Sequence, residues 1–410
     1  MKKWIRRGRA VAFYVVVADT KPMKRSFSAL EGIARVIEVH HLKQKVEQHE
    51  LVHLFSNVGF HRPTEQSLSI ALCSRINDYH PNLTKEAFDS GTIFTTLSFQ
   101  GGIRTMAKED WQLFNSALAP INEDELLFLL GPDKEHLTPL SLEGMALLEM
   151  VQTVLPEVLD KRPLRFALTQ QRLIEALLDL LPPSEQQVLY WPLGSLTLGE
   201  TLMNRLLPIA TLNVPVVLHK EPNTKEYLLS LADEVEQKDF VASDVVARYL
   251  HAYGPTDAHS FANWAGISIA QGQRLWESLD PTMLEQVLLE GRLAWMLASD
   301  VSSMTNGSQI EGIRFISSFD PILKVPYKRA YTHGKGQYLE LFESSKHDNL
   351  VLVDTKIAGT WKVQIEKEGW TMLIQESGTA LWGTTLQELH KEAHSLESSI
   401  GSPCLAVNVR

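Results

Sequence analysis

Cysteine is nearly absent from this chain. Two in 410 residues, Cys73 and Cys404, cannot build a disulfide framework or a four-cysteine zinc site, and such sparse use suits a reducing cytoplasm. Net positive charge is missing as well. Lys and Arg number 39 against 49 Asp and Glu, a formal charge of −10. This excludes a uniformly basic surface and leaves only local patches for any contact with nucleic acid. No apolar run approaches the roughly 20 residues of a membrane-spanning helix, so no membrane partner is expected. Fixed-period repeats and low-complexity tracts are also lacking. What is present is ordinary for a globular protein: 44% hydrophobic and 21% charged residues, in a length that suits two to four domains.

The positive charge is concentrated at one end. Residues 1–25 carry Lys2, Lys3, Arg6, Arg7, Arg9, Lys21, Lys24 and Arg25 against Asp19, a local +7 that leaves −17 for the rest. A basic stretch at 1–9 leads into an apolar run at 10–18, the order of a short export signal, but no small-x-small cleavage site follows. The preferred readings are an edge strand with a basic tail, or a natural start at Met23.

From Ser28 the pattern turns helical. Ser28-Ala-Leu-Glu31 is a capping box, and Leu30, Ile33, Ala34 and Ile37 follow at helical spacing. Further helices are expected over 45–57, with Leu51, Leu54, Phe55 and Val58 as the buried stripe, and over 66–77. Residues 92–99 are β-branched and aromatic. Gly101-Gly102 supply a turn, and 103–106 return as a second strand. Three helices and a hairpin are the order of a winged helix. A helix at 108–117 packs behind it through Trp111, Phe114 and Leu118. Residues 136–238 are mostly helical, with Leu140, Leu147, Leu148 and Val151 first, then a helix at 173–181 broken by Pro182-Pro183, and a short strand at 216–218. Another helical block covers 239–303. Strands at 350–354, 360–366 and 370–375 then read as an antiparallel meander. Thr385-Leu-Gln-Glu388 caps a late helix carrying Leu386, Leu389, Ala393 and Leu396, and a strand at 405–409 is placed to close the sheet.

The most specific text is Tyr253-Gly-Pro255, then Phe261, Trp264 and Gly266, within residues 247–266. It resembles a bacterial winged-helix DNA-binding family that includes the DNA glycosylases that unhook interstrand crosslinks. Phe319-Asp-Pro-Ile-Leu323 and Val353-Asp-Thr-Lys-Ile-Ala-Gly-Thr-Trp-Lys362 are similar to later segments of that family. Segment order matches over 28–410, most specifically from 239 onward. The resemblance implies an α+β chain of tandem winged-helix (helix-turn-helix) domains followed by a C-terminal β-barrel-like domain, set around duplex DNA. The corresponding boundaries are an N-terminal extension at 1–27, winged helices at 28–135, 136–238 and 239–303, and the β-rich domain at 304–410. A monomer without cofactor is expected.

The family's catalytic text is a glutamine pair flanking one residue, ahead of a helix ending in Arg. Counting back from Arg75 places His61 and Pro63 at the glutamine positions. An amide pair can hold a water and a base or sugar edge, and proline has no such group. His61 is left as the catalytic candidate, as a base or phosphate contact. A second family segment, Arg-Gly-Thr-x-His, reads Gln100-Gly-Gly-Ile-Arg104 here. Arg62, Gln100 and Arg104 are therefore candidate DNA contacts. A second candidate patch is basic and aromatic: Lys324, Tyr327, Lys328, Arg329, His333 and Lys335, where cations meet phosphates and rings stack or wedge. The alternative is a solvated loop of ordinary charges.

Three functions are thus in view. The first is duplex-DNA binding with divergent base excision in DNA repair. The second is a non-catalytic DNA-binding regulator on the same scaffold, favoured by His61 and Pro63 at the glutamine positions. The third is a zinc hydrolase, because His49-Glu50-Leu51-Val52-His53 fits H-E-x-x-H. Against the third, the helix's apolar stripe leaves both imidazoles pointing outward. Ser56 and Gly59 stand where the extended motif needs Gly and His, and Glu175 with Asp179 is a loose match far downstream. No metal ligands are assigned.

Overall fold

The computed structural model describes residues 24–61, 64–160, 162–221, 224, 226–233, 235, 240–305, 312–343, 348–378, 381 and 385–410. The readings for residues 1–22 and the start at Met23 fall outside them, as do Arg62 and Pro63. The first elements are β1 (Ser26–Phe27) and α1 (Ala29–Val39). The capping box forms: Glu31 N–H donates to Ser28 Oγ at 3.2 Å, and Ser28 N–H donates to Glu31 Oε2 at 2.7 Å. Helix α1 buries Ile33, Val36 and Ile37 but leaves Leu30 44% exposed.

The first winged helix follows as α2 (Leu51–Val58), β2 (Phe60–His61), α3 (Glu65–Cys73), α4 (Pro81–Asp89), β3 (Ile93–Ser98) and β4 (Gly102–Ala107). Its sheet runs β2-β4-β3, antiparallel throughout. The three helices of this unit are α2, α3 and α4, one step later than the sequence pattern places them. Helix α4 hides because its buried positions are only Thr84 and Ala87, too few to draw an apolar stripe. Pro81 at its first turn is the surviving signal.

Short helices α5 (Trp111–Phe114) and α6 (Glu123–Leu130) lead to the second unit. That unit comprises α7 (Gly144–Leu159), β5 (Leu164–Arg165), α8 (Phe166–Leu178), α9 (Pro183–Leu189), the hairpin β6 (Pro192–Leu193) with β7 (Leu196–Thr197), α10 (Leu198–Ala210), β8 (Val216–Lys220) and β9 (Tyr227–Leu231). Pro183 both ends the preceding run and opens α9. The sheet order β5-β9-β8 repeats that of the first unit.

The third unit is α11 (Asp244–Tyr253), α12 (Ala258–Ala265), α13 (Ile269–Glu277), β10 (Leu284–Leu289) and β11 (Arg292–Leu297). A single bridge, Thr256 to Trp295, replaces its short first strand. Here β1 finds its place, parallel to β10 with Ser26 opposite Leu288. Phe27 joins Val287, Met296, Val301 and Met304 in one small core, the last two residues lying on α14 (Val301–Thr305).

The C-terminal region holds β12 (Ile313–Ile316), α15 (Lys335–Phe342), β13 (Asn349–Val353), β14 (Lys356–Ile365), β15 (Trp370–Glu376), α16 (Leu386–His394), α17 (Glu397–Ile400) and β16 (Cys404–Val409). The expected barrel does not form. Strand order is β12-β13-β14-β15-β16, an open sheet whose edge strands are not paired to each other. The meander is antiparallel through β15, but β16 returns through α16 and α17 and pairs parallel to β15. A helical crossover brings a strand back in the same direction. Helix α16 lies against both β12 and β16, filling the space that closure would need. Leu389, Ala393 and Leu396 share a core with Phe315, Trp361, Trp370 and Met372 of the sheet and with Phe55, Phe60 and Leu72 of the first unit. No helix among the described residues is long and apolar enough to cross a membrane.

One ion pair joins three parts of the chain. Arg75, just after α3, donates to Asp320 through Nη1 at 2.8 Å and Nη2 at 2.6 Å. Its Nε donates to the His40 carbonyl at the end of α1, at 2.9 Å. The two side chains are 2% and 0% exposed. Asp320→Ala strands a buried guanidinium and is expected to cost about 3–5 kcal/mol, whereas Arg75→Met with Asp320→Leu should cost less than the single change. Denaturant unfolding of both variants checks this ordering.

Candidate nucleic-acid interface

Strand β2 fixes the first candidate group. Its last residue, His61, is backbone-paired with Arg104 on β4, which in turn faces Thr96 on β3. The His61 side chain and Arg62 lie outside what is described. Thr64 caps α3 directly afterwards, accepting from Ser67 N–H at 3.0 Å.

Arg104 is 3% exposed. Its guanidinium carbon sits 3.6 Å from the Phe99 ring centroid, and its Nε has no hydrogen-bond partner. Burial pushes its pKa down to about 9, an effect that the Tyr253 phenol partly offsets. Gln100 stands at the hairpin tip with φ +63°. Its amide donates to the carbonyls of Trp264 at 2.6 Å and Asn263 at 3.3 Å, at the end of α12. Gly266 caps that helix at φ +68°, and a Cβ there would stand 2.4 Å from Gln100 Cγ. Glycine therefore allows both the left-handed cap and the approach of the hairpin. The wing of the first unit is pinned to the third.

The second candidate group gathers on the loop before α15. Lys324, Arg329, His333 and Lys335 are exposed, and Lys328 is half-buried. Lys328 Nζ lies 5.2 Å from the Phe342 ring centroid and Arg329 Cζ 5.0 Å from that of Tyr338. Among the described residues, rings rather than carboxylates steady these two cations, so their charge is left for an anion. Tyr327 turns inward: its ring packs on Gly32, and its hydroxyl donates to the Tyr253 and Gly254 carbonyls at 3.3 Å. Burial raises its phenol above the ordinary range. Tyr331 is more deeply buried, at 1% exposure. Sequence reasoning passed over Lys356, whose ammonium holds the loop through the carbonyls of Ala330 at 2.7 Å and Thr332 at 3.2 Å. It also passed over the Tyr338 and Phe342 platform. The four-residue spacing of those two rings on one helix is the signal that was there to read.

The H-E-x-x-H stretch is split. Residues Gln48–Glu50 form a 3₁₀ turn, and α2 begins at Leu51. The His49 side chain is 78% exposed, with Nε2 3.4 Å from Glu50. His53 faces a cleft of about 710 Å³ shared with Ser56, Asp110, Arg248 and His251. Among the described residues, no three His, Cys, Asp or Glu come together to hold a metal ion.

Successive winged-helix-like units followed by an open five-stranded sheet define a winged-helix protein. Residues 56–398 match the family DNA glycosylase AlkZ-like, so the chain belongs to the AlkZ-like family. An interstrand DNA cross-link repair glycosylase of Streptomyces sahachiroi is 24% identical over 143 residues, covering 32% of this chain and 36% of that protein. The aligned part thus spans about a third of the relative's length. The solved structure of Streptomyces sahachiroi DNA glycosylase AlkZ has the same fold, with a TM-score of 0.71 at 15% identity, over 95% of this chain and 100% of that one.

One buried histidine makes this assembly sensitive to acid. His40 is 3% exposed and its Nε2 has no partner. Burial first, and then the charge of Arg75, hold its imidazole well below the ordinary value. The unfolded chain takes up that proton near pH 6.5 and the folded chain refuses it. Stability from this residue is therefore complete above about pH 6.5 and declines as pH falls below it. Between about pH 7.5 and 5.5 the protein should lose stability through His40, because the unfolded chain takes up the proton there and the buried imidazole resists it. Urea unfolding of His40→Asn at both pH values should show a correspondingly smaller change than the wild type.

Proposed function

We propose that this chain binds duplex DNA in the cytoplasm as a repair protein of the glycosylase type. The observation that carries the reading is membership of the AlkZ-like family across residues 56–398 on a frame of three winged-helix units. The basic cluster supports it. An acidic protein repels DNA at long range and must hold it through a local patch. Lys324, Lys328, Arg329, His333 and Lys335 offer one beside α15. His61 is the catalytic candidate, on a strand whose register with β4 is fixed.

A second reading rests on Pro63. Proline carries no side-chain donor or acceptor where the family uses an amide, which favours a binder that kept the scaffold and lost the chemistry. Base release from duplexes with and without alkylated or crosslinked bases separates the two. Release that disappears in His61→Ala supports the enzyme; tight binding without release supports the binder. Neither reading uses a bound metal, so a chelator should leave activity and melting unchanged.

The patch makes a sharper claim. Each phosphate contact contributes about 0.9 to the slope of log affinity against log salt. Changing Lys328 and Arg329 together to Ala should weaken binding to every duplex and flatten that slope by roughly two units. Binding isotherms across a salt series, with circular dichroism to verify folding, test it. Unchanged affinity and slope would place the DNA elsewhere.

A further inference from the structure

Two of the three buried arginines among the described residues meet acids. Arg75 is held by Asp320 and Arg35 by Asp300. Arg104 breaks that pattern. Among the described residues it makes no hydrogen bond and no ion pair. Only the Phe99 ring and the Tyr253 phenol act on its charge. A buried cation without a counter-charge is strongly destabilising, and this one sits in the middle of a sheet that is otherwise well satisfied.

The geometry leaves its binding edge unused. Phe99 covers the face of the guanidinium at 3.6 Å, and the five N–H donors lie in the plane, pointing away from that contact. Of the three nitrogens, only Nε is both sealed from solvent and without a partner. The terminal pair is equally unbonded among the described residues, and the residue as a whole keeps 3% of its surface exposed. Position is also fixed. Arg104 is paired across the ladder with His61, the residue at the family's catalytic text. Its hairpin is anchored to α12 by Gln100, so the cation is rigidly placed beside β2.

We infer that Arg104 is a phosphate-binding residue, whose in-plane donors are kept unpaired to receive the oxyanion of a DNA phosphodiester next to β2. The inference rests on the DNA-binding reading above and extends it from the exposed patch to the interior of the first winged helix. A planar guanidinium matches two phosphate oxygens at once. A cation already stripped of water binds an anion more strongly than an exposed lysine does. The arrangement exchanges stability for binding, since the charge is compensated only when the ligand is present.

Two substitutions test it in the full chain. Arg104→Met fills the space over Phe99 without charge, and Arg104→Lys keeps charge without the planar fork. In melting experiments without ligand, Arg104→Met should melt above the wild type. Inorganic phosphate, compared with chloride at equal ionic strength, should raise the melting temperature of the wild type and not of Arg104→Met. Duplex affinity of that variant should fall roughly tenfold and its salt slope by about 0.9. An Arg104→Met protein that melts lower, yet keeps duplex affinity and the phosphate response, would mean that the cation serves only the stack on Phe99. Loss of binding in the Lys328 and Arg329 double variant, with none in Arg104→Met, sinks this inference and leaves the DNA-binding reading standing. If the wild type binds no duplex, that reading falls, and the phosphate arm still decides: no shift in the wild type overturns the site. Should Arg104→Met not fold, Arg104→Lys decides, because its phosphate response should drop severalfold and an undiminished one refutes the role of the fork.

Discussion

The bidentate contact between Arg75 and Asp320 is the constraint on which this architecture depends. Its value does not lie in raw strength, because removing two charges from water offsets much of their attraction. It lies in what must be in place before the pair can form. Arg75 follows α3, its Nε holds the end of α1, and Asp320 opens the loop that carries the basic cluster. Tyr253 completes the junction from the third unit, donating to the Pro321 carbonyl at 2.9 Å. A displacement of any one of these elements leaves a charge or a carbonyl buried without its partner. Such a junction punishes misassembly more than it rewards assembly.

The same junction explains how a chain with an excess of acid keeps cations for a ligand. Where positive charge must be neutral overall, it is paired, as at Arg75. Where it stays available, aromatic faces do the holding, as for Arg329 on Tyr338 and Arg104 on Phe99. A ring steadies a cation without cancelling its charge, which a carboxylate cannot do. Electrostatic character here is set by the choice of neighbour and not by the total count of charges.

Much of this was legible in the sequence. The capping boxes at Ser28 and Thr385 form as written, because they are local chemistry. The Tyr253-Gly-Pro255 segment marked a winged helix correctly. Its Phe261 and Trp264 are core residues, so text can identify a fold without lying in a site. Two features were not legible. The open sheet escaped because β16 pairs parallel to β15, and strand direction after a helical crossover leaves no periodic trace. The company of Arg104 escaped because burial and partnership of a strand residue depend on what another unit places over it. Alternation reports faces, not neighbours.

Strand β1 and helix α1 have a consequence for how the molecule is made. They are synthesised early, yet β1 has its partner 262 positions later, Ser26 lying opposite Leu288. At roughly 5–20 residues per second, the ribosome delivers β10 about 13 to 50 seconds after β1. Through that interval the apolar face of α1, with Ile33, Val36 and Ile37, has no α11 to cover it. The third winged-helix unit is thus the one that retrieves β1, while the C-terminal region is still to be made. In the finished molecule β1 acts as a clasp: a segment made before the first winged helix is secured only by a strand of the third.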